Sequence, residues 1–213
     1  MIKYAAEVLI IIINFAIFGF IHSYLATNKI KKILTEKFGN LIAFYRLFYN
    51  VISVAMLYLF YLYLPQPDIT IYDLPSPYDF VILIPQFLSL IGLIWAFRFF
   101  STSEFLGISQ IRRWYKGEYN IAELDEHLTL RIEGPYRFVR HPTYLFAILF
   151  LLFRPTMDLF YLTLFICIVI YFYVGSYYEE KKLVERFGEE YISYQNLVPR
   201  IFSVSLFKPY KKL

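Results

Sequence analysis

The chain has 213 residues, 59% of them hydrophobic, 22% aromatic and only 18% charged, with a net charge of +4. Soluble domains are about 45–50% apolar and ~25% charged, so this balance excludes an ordinary soluble domain and points to a membrane protein. A single cysteine excludes a disulfide framework or a cysteine metal site, and the basic residues fall in loops, where membrane topology explains them without a nucleic-acid partner.

Taken in order, Tyr4 to Leu25 is the first predicted span, with Glu7 near its outer end. Asn28-Lys29-Ile30-Lys31-Lys32 follows it instead of a small-residue cleavage site, so the stretch does not read as a signal peptide. Leu41 to Leu64 is the second span; its only charge, Arg46, lies near its start, where it can snorkel. Phe80 to Phe97 is the third, with Pro85 predicted to kink it. Thr143 to Phe153 reaches only about 17 Å as a helix, short of the ~30 Å hydrocarbon core. Leu159 to Ser176 carries no charge and is nearly long enough to span. With Arg154 to Asp158 between them, these two runs form a hairpin with a short first arm. Pro65, Pro67, Pro75 and Pro77 make 65–79 an extended connector. The longest polar stretch runs from Ser101 to Glu133, and from Tyr177 to Tyr194 the apolar residues Leu183, Val184, Phe187 and Tyr191 give one face of a helix.

The expected fold is therefore all-α: a polytopic membrane protein with five membrane helices and a cytoplasmic C-terminal helix, a single membrane domain over 1–213 with three N-terminal spans in 1–100. Lysines in 28–40, basic residues in 98–140 and in the tail, and Asp68, Asp73 and Asp79 in a 65–79 loop without Lys or Arg orient it. By the positive-inside rule the N-terminus lies outside and the C-terminus in the cytoplasm.

Three constellations can carry chemistry. The first is Gly134 to Tyr144, with Arg137, Arg140 and His141, where Pro142 is placed to open a helix. Arginines beside a helix start make a seat for a carboxylate or phosphate, or an anchor on lipid headgroups; both readings stand. The second is Glu179-Glu180, directly after the last apolar run, where acids oppose a helix dipole. They serve a cationic ligand or pair with Arg137 or Arg140. The hairpin carries them toward the basic stretch, and a zwitterionic ligand would fit between. The third is His22-Ser23, a candidate proton acceptor or a polar helix end. His127 lies in a charged loop segment, and three histidines so scattered form no metal site. There is no Gly-rich phosphate loop and no G-x-S-x-G elbow.

Gly134-Pro135-Tyr136-Arg137-Phe138-Val139-Arg140-His141-Pro142-Thr143-Tyr144, then a short hydrophobic hairpin, then Glu179-Glu180-x-x-Leu183, Phe187-Gly188-x-x-Tyr191-x-x-Tyr194 and Val198-Pro199, resembles the integral-membrane methyltransferases. These include isoprenylcysteine carboxyl, phospholipid N- and methanethiol S-methyltransferases. The resemblance covers about residues 100–200. It implies a methyltransferase core over 101–213 that binds S-adenosylmethionine on the cytoplasmic side. The implied cofactor residues are Tyr136, Arg137, Arg140, His141, Pro142, Tyr144, Glu179 and Glu180, with His22 and Glu180 as catalytic candidates and no metal.

Phe105 to Gln110, Arg154 to Met157, and His22-Ser23 followed by Tyr45-Arg46 look most like the methanethiol-type branch. Gly175-Ser176-Tyr177-Tyr178 stands where prenylcysteine enzymes carry an arginine, and the segment from Val198 to Ser203 lacks the group's usual second proline. The leading expectation is S-methylation of a small or lipophilic thiol arriving from the bilayer of the cell (inner) membrane. Carboxyl O-methylation of an isoprenylcysteine and N-methylation of a phospholipid are the alternative reactions. A membrane scaffold or transport-associated subunit of nitrogen-oxide metabolism is the non-enzymatic alternative.

Overall fold

A computed structural model describes residues 2–122 and 129–202, so His127 and Ser203 lie outside the described residues. The helices are α1 (Ile2–Leu25), α2 (Asn28–Phe38), α3 (Tyr45–Tyr63), α4 (Tyr78–Arg98), α5 (Thr102–Leu106), α6 (Ile108–Tyr115), α7 (Pro142–Leu152), α8 (Leu159–Phe187) and α9 (Glu189–Leu197). Two short strands, β1 (Thr70–Asp73) and β2 (Thr156–Asp158), accompany them among the described residues. Four helical stretches, 2–25, 28–63, 78–98 and 159–187, are long and apolar enough to cross a membrane. Their outward faces carry exposed Leu, Ile, Val and Phe, as on α4 at Phe80, Ile84, Phe87, Leu88 and Ile91. This is an all-α membrane architecture. Of the five expected membrane helices four have the length; α7, with 11 residues, extends only about 16 Å and is a shorter apolar helix.

The chain divides into two compact units. One comprises Leu9–Pro65 and Ser101–Leu128. In it Thr27 caps α2, accepting from the Ile30 N–H and donating to the Tyr24 carbonyl at 2.7 Å. Gly39, at φ +57°, ends α2, and a 3-10 turn over Gly39–Phe44 leads into α3. Between α5 and α6, Gly107 has φ +88°, and a Cβ there would stand 2.6 Å from the Leu47 backbone nitrogen. Arg46 Nε donates to the Phe105 carbonyl at 3.2 Å, beside Asn50 Nδ2 at 2.8 Å. Glu104 and Arg113 form a two-bond pair across the same corner.

The other unit comprises Met1–Val8, Gln66–Phe100 and Thr129–Leu213. The 65–79 connector is not merely extended: β1 pairs antiparallel with β2 in the hairpin turn, Thr70 opposite Asp158 and Asp73 opposite Thr156. α4 and α7 pack along their lengths. The buried residues of α4 are Ser89, Gly92 and Ala96, small side chains three and four apart that let helices approach closely. A Cβ on Gly92 would run into the Phe146 ring of α7. α4 continues through Pro85, the Ser89 hydroxyl donating to its carbonyl at 2.7 Å and Gln86 Nε2 to the Phe150 carbonyl at 3.1 Å.

The last predicted span does not end at Ser176. α8 runs 29 residues to Phe187, because Glu, Lys, Leu, Val and Arg after the apolar run are all good or adequate helix formers. The predicted C-terminal helix is therefore split into the end of α8 and α9, separated by Gly188 at φ +55°. Two buried clusters hold this end together. Val139, Leu145, Ile148 and Ile201 form one; Tyr191, Tyr194 and Val198 form the other, against Leu183, Val184 and Phe187.

Candidate functional site

Pro142 opens α7 with His141 as its N-cap residue, as its fixed φ and missing N–H favour. The stretch before it, Gly134–Arg137, is a 3-10 turn entered at Gly134, whose φ is +55° and whose missing Cβ leaves room for the Phe99 ring. The chain then pairs with its own tail. The Arg140 N–H donates to the Pro199 carbonyl and the His141 N–H to the Arg200 carbonyl, both at 2.9 Å. These two bonds fix the backbone of the Arg-His-Pro stretch.

Glu179 and Glu180, an undivided acidic pair in the sequence, face different surroundings. They lie inside α8, about two turns before its end, so the argument that they oppose a helix dipole does not apply. The Glu180 side chain is 3% exposed and Arg140 is 8% exposed. Arg140 Nε donates to Glu180 Oε1 at 2.7 Å and Nη2 to Oε2 at 3.0 Å, a bidentate pair. Arg140 Nη1 reaches the carbonyls of Gln195, at 2.8 Å, and Val198. His141 Nε2 stands 3.1 Å from Glu180 Oε1, Gln195 Nε2 donates to Oε2 at 3.0 Å, and Arg200 Nε lies 3.3 Å from Oε2. A carboxylate offers about four lone-pair sites, and the donors of this chain fill them.

Glu179 is half-exposed, its Oε2 accepting from the Tyr144 hydroxyl at 3.1 Å and lying 3.5 Å from His141 Nδ1. Tyr144 is stacked between the His141 ring, at 5.2 Å, and Phe172 of α8, at 4.6 Å. Tyr136 feels both Arg131 and Glu179; burial raises its phenol above the usual range while Arg131 opposes the rise. Its carbonyl accepts from the Tyr194 hydroxyl. Burial likewise lifts Tyr191 and Tyr194, so both are neutral donors near the cluster. Arg137 is half-buried in the same 3-10 turn.

The expected meeting of residues 134–144 with 179–180 thus occurs, within one unit. His22 belongs to the other unit and has its own network. Its Nε2 is 2.7 Å from the Tyr49 hydroxyl and its Nδ1 2.9 Å from Ser53 Oγ. The Ser53 hydroxyl spends its hydrogen on the Tyr49 carbonyl at 2.7 Å. Ser53 therefore accepts from Nδ1–H, and Nε2 accepts from Tyr49. Two hydroxyls so define the histidine tautomer.

Sequence reasoning missed Gln195 and Arg200 around Glu180, and Tyr49 and Ser53 around His22. Tyr49 and Ser53 were legible only as four apart on a helix, and nothing in the sequence joins Arg200 to His141. Among the described residues no group of three or more His, Cys, Asp or Glu stands together as a metal site.

The turn and the glutamates of α8 that meet here are the two motifs by which the chain resembles the integral-membrane methyltransferases. The chain is similar to Methanethiol S-methyltransferase 1 of Bradyrhizobium diazoefficiens, 30% identical over 203 residues that cover 91% of this chain and 66% of that protein. It is also similar to the Methanethiol S-methyltransferase of Pseudomonas deceptionensis, 40% identical over 63 residues, 30% of this chain and 24% of that protein. The chain is a relative of the methanethiol S-methyltransferases and stands with that branch of the group. It spans just under two thirds of the length of the first of these relatives. No family model and no solved structure matches it.

Proposed function

We propose that the protein is a membrane methyltransferase that carries a methyl group from S-adenosylmethionine to a small or lipophilic thiol. The observation that carries the reading is the junction of the Arg-His-Pro turn with α8, which leaves one acid, Glu179, half-exposed beside Tyr144 while Glu180 is sealed inside. The donor set fits the cofactor's chemistry: an accessible carboxylate for a cation, arginines for a carboxylate, and aromatic surfaces for an adenine. When bound, S-adenosylmethionine supplies an electrophilic methyl group on a sulfonium.

In this reading Glu179, with Tyr144 as its hydrogen-bond partner, receives the cationic groups. Tyr136, Arg137 and the α7 start at Pro142 border the same place. Glu180 and Arg140 act from behind, setting the orientation of His141. A thiol must lose its proton to become the reactive nucleophile. His22 is the proposed proton acceptor on its chemistry alone; because its Nε2 accepts from the Tyr49 hydroxyl, it would take the thiol proton through that hydroxyl, Tyr49 passing its own hydrogen to Nε2 as it receives the thiol's. Residues 101–213 then carry most of the core, with the donor side in the cytoplasm, the N-terminus outside and the acceptor entering from the cell membrane. The names of the relatives support a thiol acceptor.

Titration of the purified chain with S-adenosylmethionine in a calorimeter, followed by labelled methyl transfer to a panel of alkyl thiols, tests the proposal. Saturable binding and a labelled thioether are expected. Folded protein that binds no donor, or label found only in lipid headgroups, would sink it.

A further inference from the structure

The buried cluster is uneven in charge. Arg140 spends four of its five N–H donors on Glu180, Gln195 and Val198, so its fork is closed to any ligand. Arg200 is different. Its guanidinium makes one 3.3 Å contact with Glu180, whose charge the bidentate Arg140 already balances, and otherwise lies over the rings of Tyr173 and Tyr177 at 5.6 and 5.9 Å. It has no other hydrogen-bond partner among the described residues and is 27% exposed. Arg200 is the surplus cation of the cluster, as half-exposed Glu179 is its surplus anion.

The placement is preorganised. The Arg200 carbonyl is fixed by the His141 N–H, the preceding Pro199 carbonyl by the Arg140 N–H, and the following Ile201 is 1% exposed in the core. Tyr173 and Tyr177, four apart on α8, form an aromatic shelf that favours a cation by its ring faces. Tyr173, Tyr177 and Glu180 share one face of α8; Phe172 and Glu179 lie about 100° round the helix. The tail's Arg200, laid over one face of α8, and Glu179 on the adjoining face match the two charges of an amino-acid group.

We infer that Arg200, not Arg140, anchors the carboxylate at the amino-acid end of the methyl donor, the donor's cationic end lying toward Glu179. The inference rests on the proposed donor. Planar guanidinium donors recognise a carboxylate bidentately, and no other arginine of the buried pair keeps a fork to do so.

The test uses the full chain in detergent and two calorimetric probes. S-adenosylhomocysteine carries the carboxylate; 5′-methylthioadenosine has the same adenosine and thioether but no amino-acid group. Arg200→Ala is expected to weaken S-adenosylhomocysteine about ten- to hundredfold, the worth of charged hydrogen bonds, while 5′-methylthioadenosine stays within about twofold. Arg200→Lys, which keeps the charge and loses the fork, falls between and decides the matter if the alanine variant does not fold. Equal weakening of both probes would make Arg200 a structural residue only, and unchanged S-adenosylhomocysteine affinity would leave its anion to a lipid phosphate; either result overturns the inference while the donor reading survives. Wild-type protein that binds neither probe overturns both.

Discussion

Removing the Glu180 carboxylate is the sharpest perturbation of this molecule. In Glu180→Ala the Arg140 guanidinium, at 8% exposure, loses its counter-ion, and that of Arg200, at 27%, loses its one polar contact among the described residues, in a place that Tyr191, Tyr194 and Val198 keep dry. Breaking a buried ion pair by deleting one partner costs about 3–5 kcal/mol, mostly because the remaining charge is stranded. For a chain of this size about 2–4 °C is lost per kcal/mol, so the midpoint should fall by roughly 6–20 °C. The assay is thermal unfolding in detergent, read by intrinsic fluorescence, on Glu180→Ala, Arg140→Met and the double variant. The double variant removes both charges and should be more stable than the sum of the singles implies, by at least ~1 kcal/mol. Strict additivity would refute the claim that the two side chains stabilise each other as a buried pair.

Other outcomes follow from single contacts. Gly92→Ala places a Cβ against Phe146 and should cost about 1–3 kcal/mol in thermal unfolding, by forcing α4 from α7. Gly107→Ala combines φ +88° with a clash on the Leu47 backbone; it should destabilise by about 1–3 kcal/mol, whereas Gly117→Ala, at φ +70° in open space, should cost less than Gly107→Ala. Ile201→Ala empties a site that is 1% exposed and should lose about 2–5 kcal/mol. Tyr144→Phe deletes the hydroxyl bonded to Glu179 but keeps the stack with His141 and Phe172. It should leave the unfolding midpoint within a few degrees and weaken donor binding by calorimetry about 3–10-fold, the worth of one hydrogen bond; unchanged affinity would remove Glu179 from the donor's surroundings.

Much of this was legible in the chain itself. Long apolar runs announce the membrane helices, Pro142 announces the start of α7, and the hairpin logic brings residues 134–144 to Glu179 and Glu180. Other features were hidden for physical reasons. The end of α8 was misplaced because a fall in hydropathy marks where a helix leaves lipid, not where its hydrogen bonds stop. β1 and β2 are too short for alternation to register. The distinction between Glu179 and Glu180 comes from one 100° step round α8, which matters only once the tail covers one of the two faces. The pairing of Arg140 and His141 with Pro199 and Arg200 is a contact between segments ~60 residues apart, and no local pattern encodes it.

The β1–β2 ladder ties down the turn that α7 and α8 share. Besides its paired strands it includes the Leu74 N–H on the Pro155 carbonyl, the Leu159 N–H on the Ile69 carbonyl, and the Thr156 hydroxyl on Asp73 at 2.7 Å. His141 sits at the other end of α7. That end is held too, by the Arg140 and His141 N–H groups on the Pro199 and Arg200 carbonyls. α7 is therefore a strut of ~16 Å braced at both tips, and the position of Tyr144 against Glu179 is set from the ladder as well as from the tail.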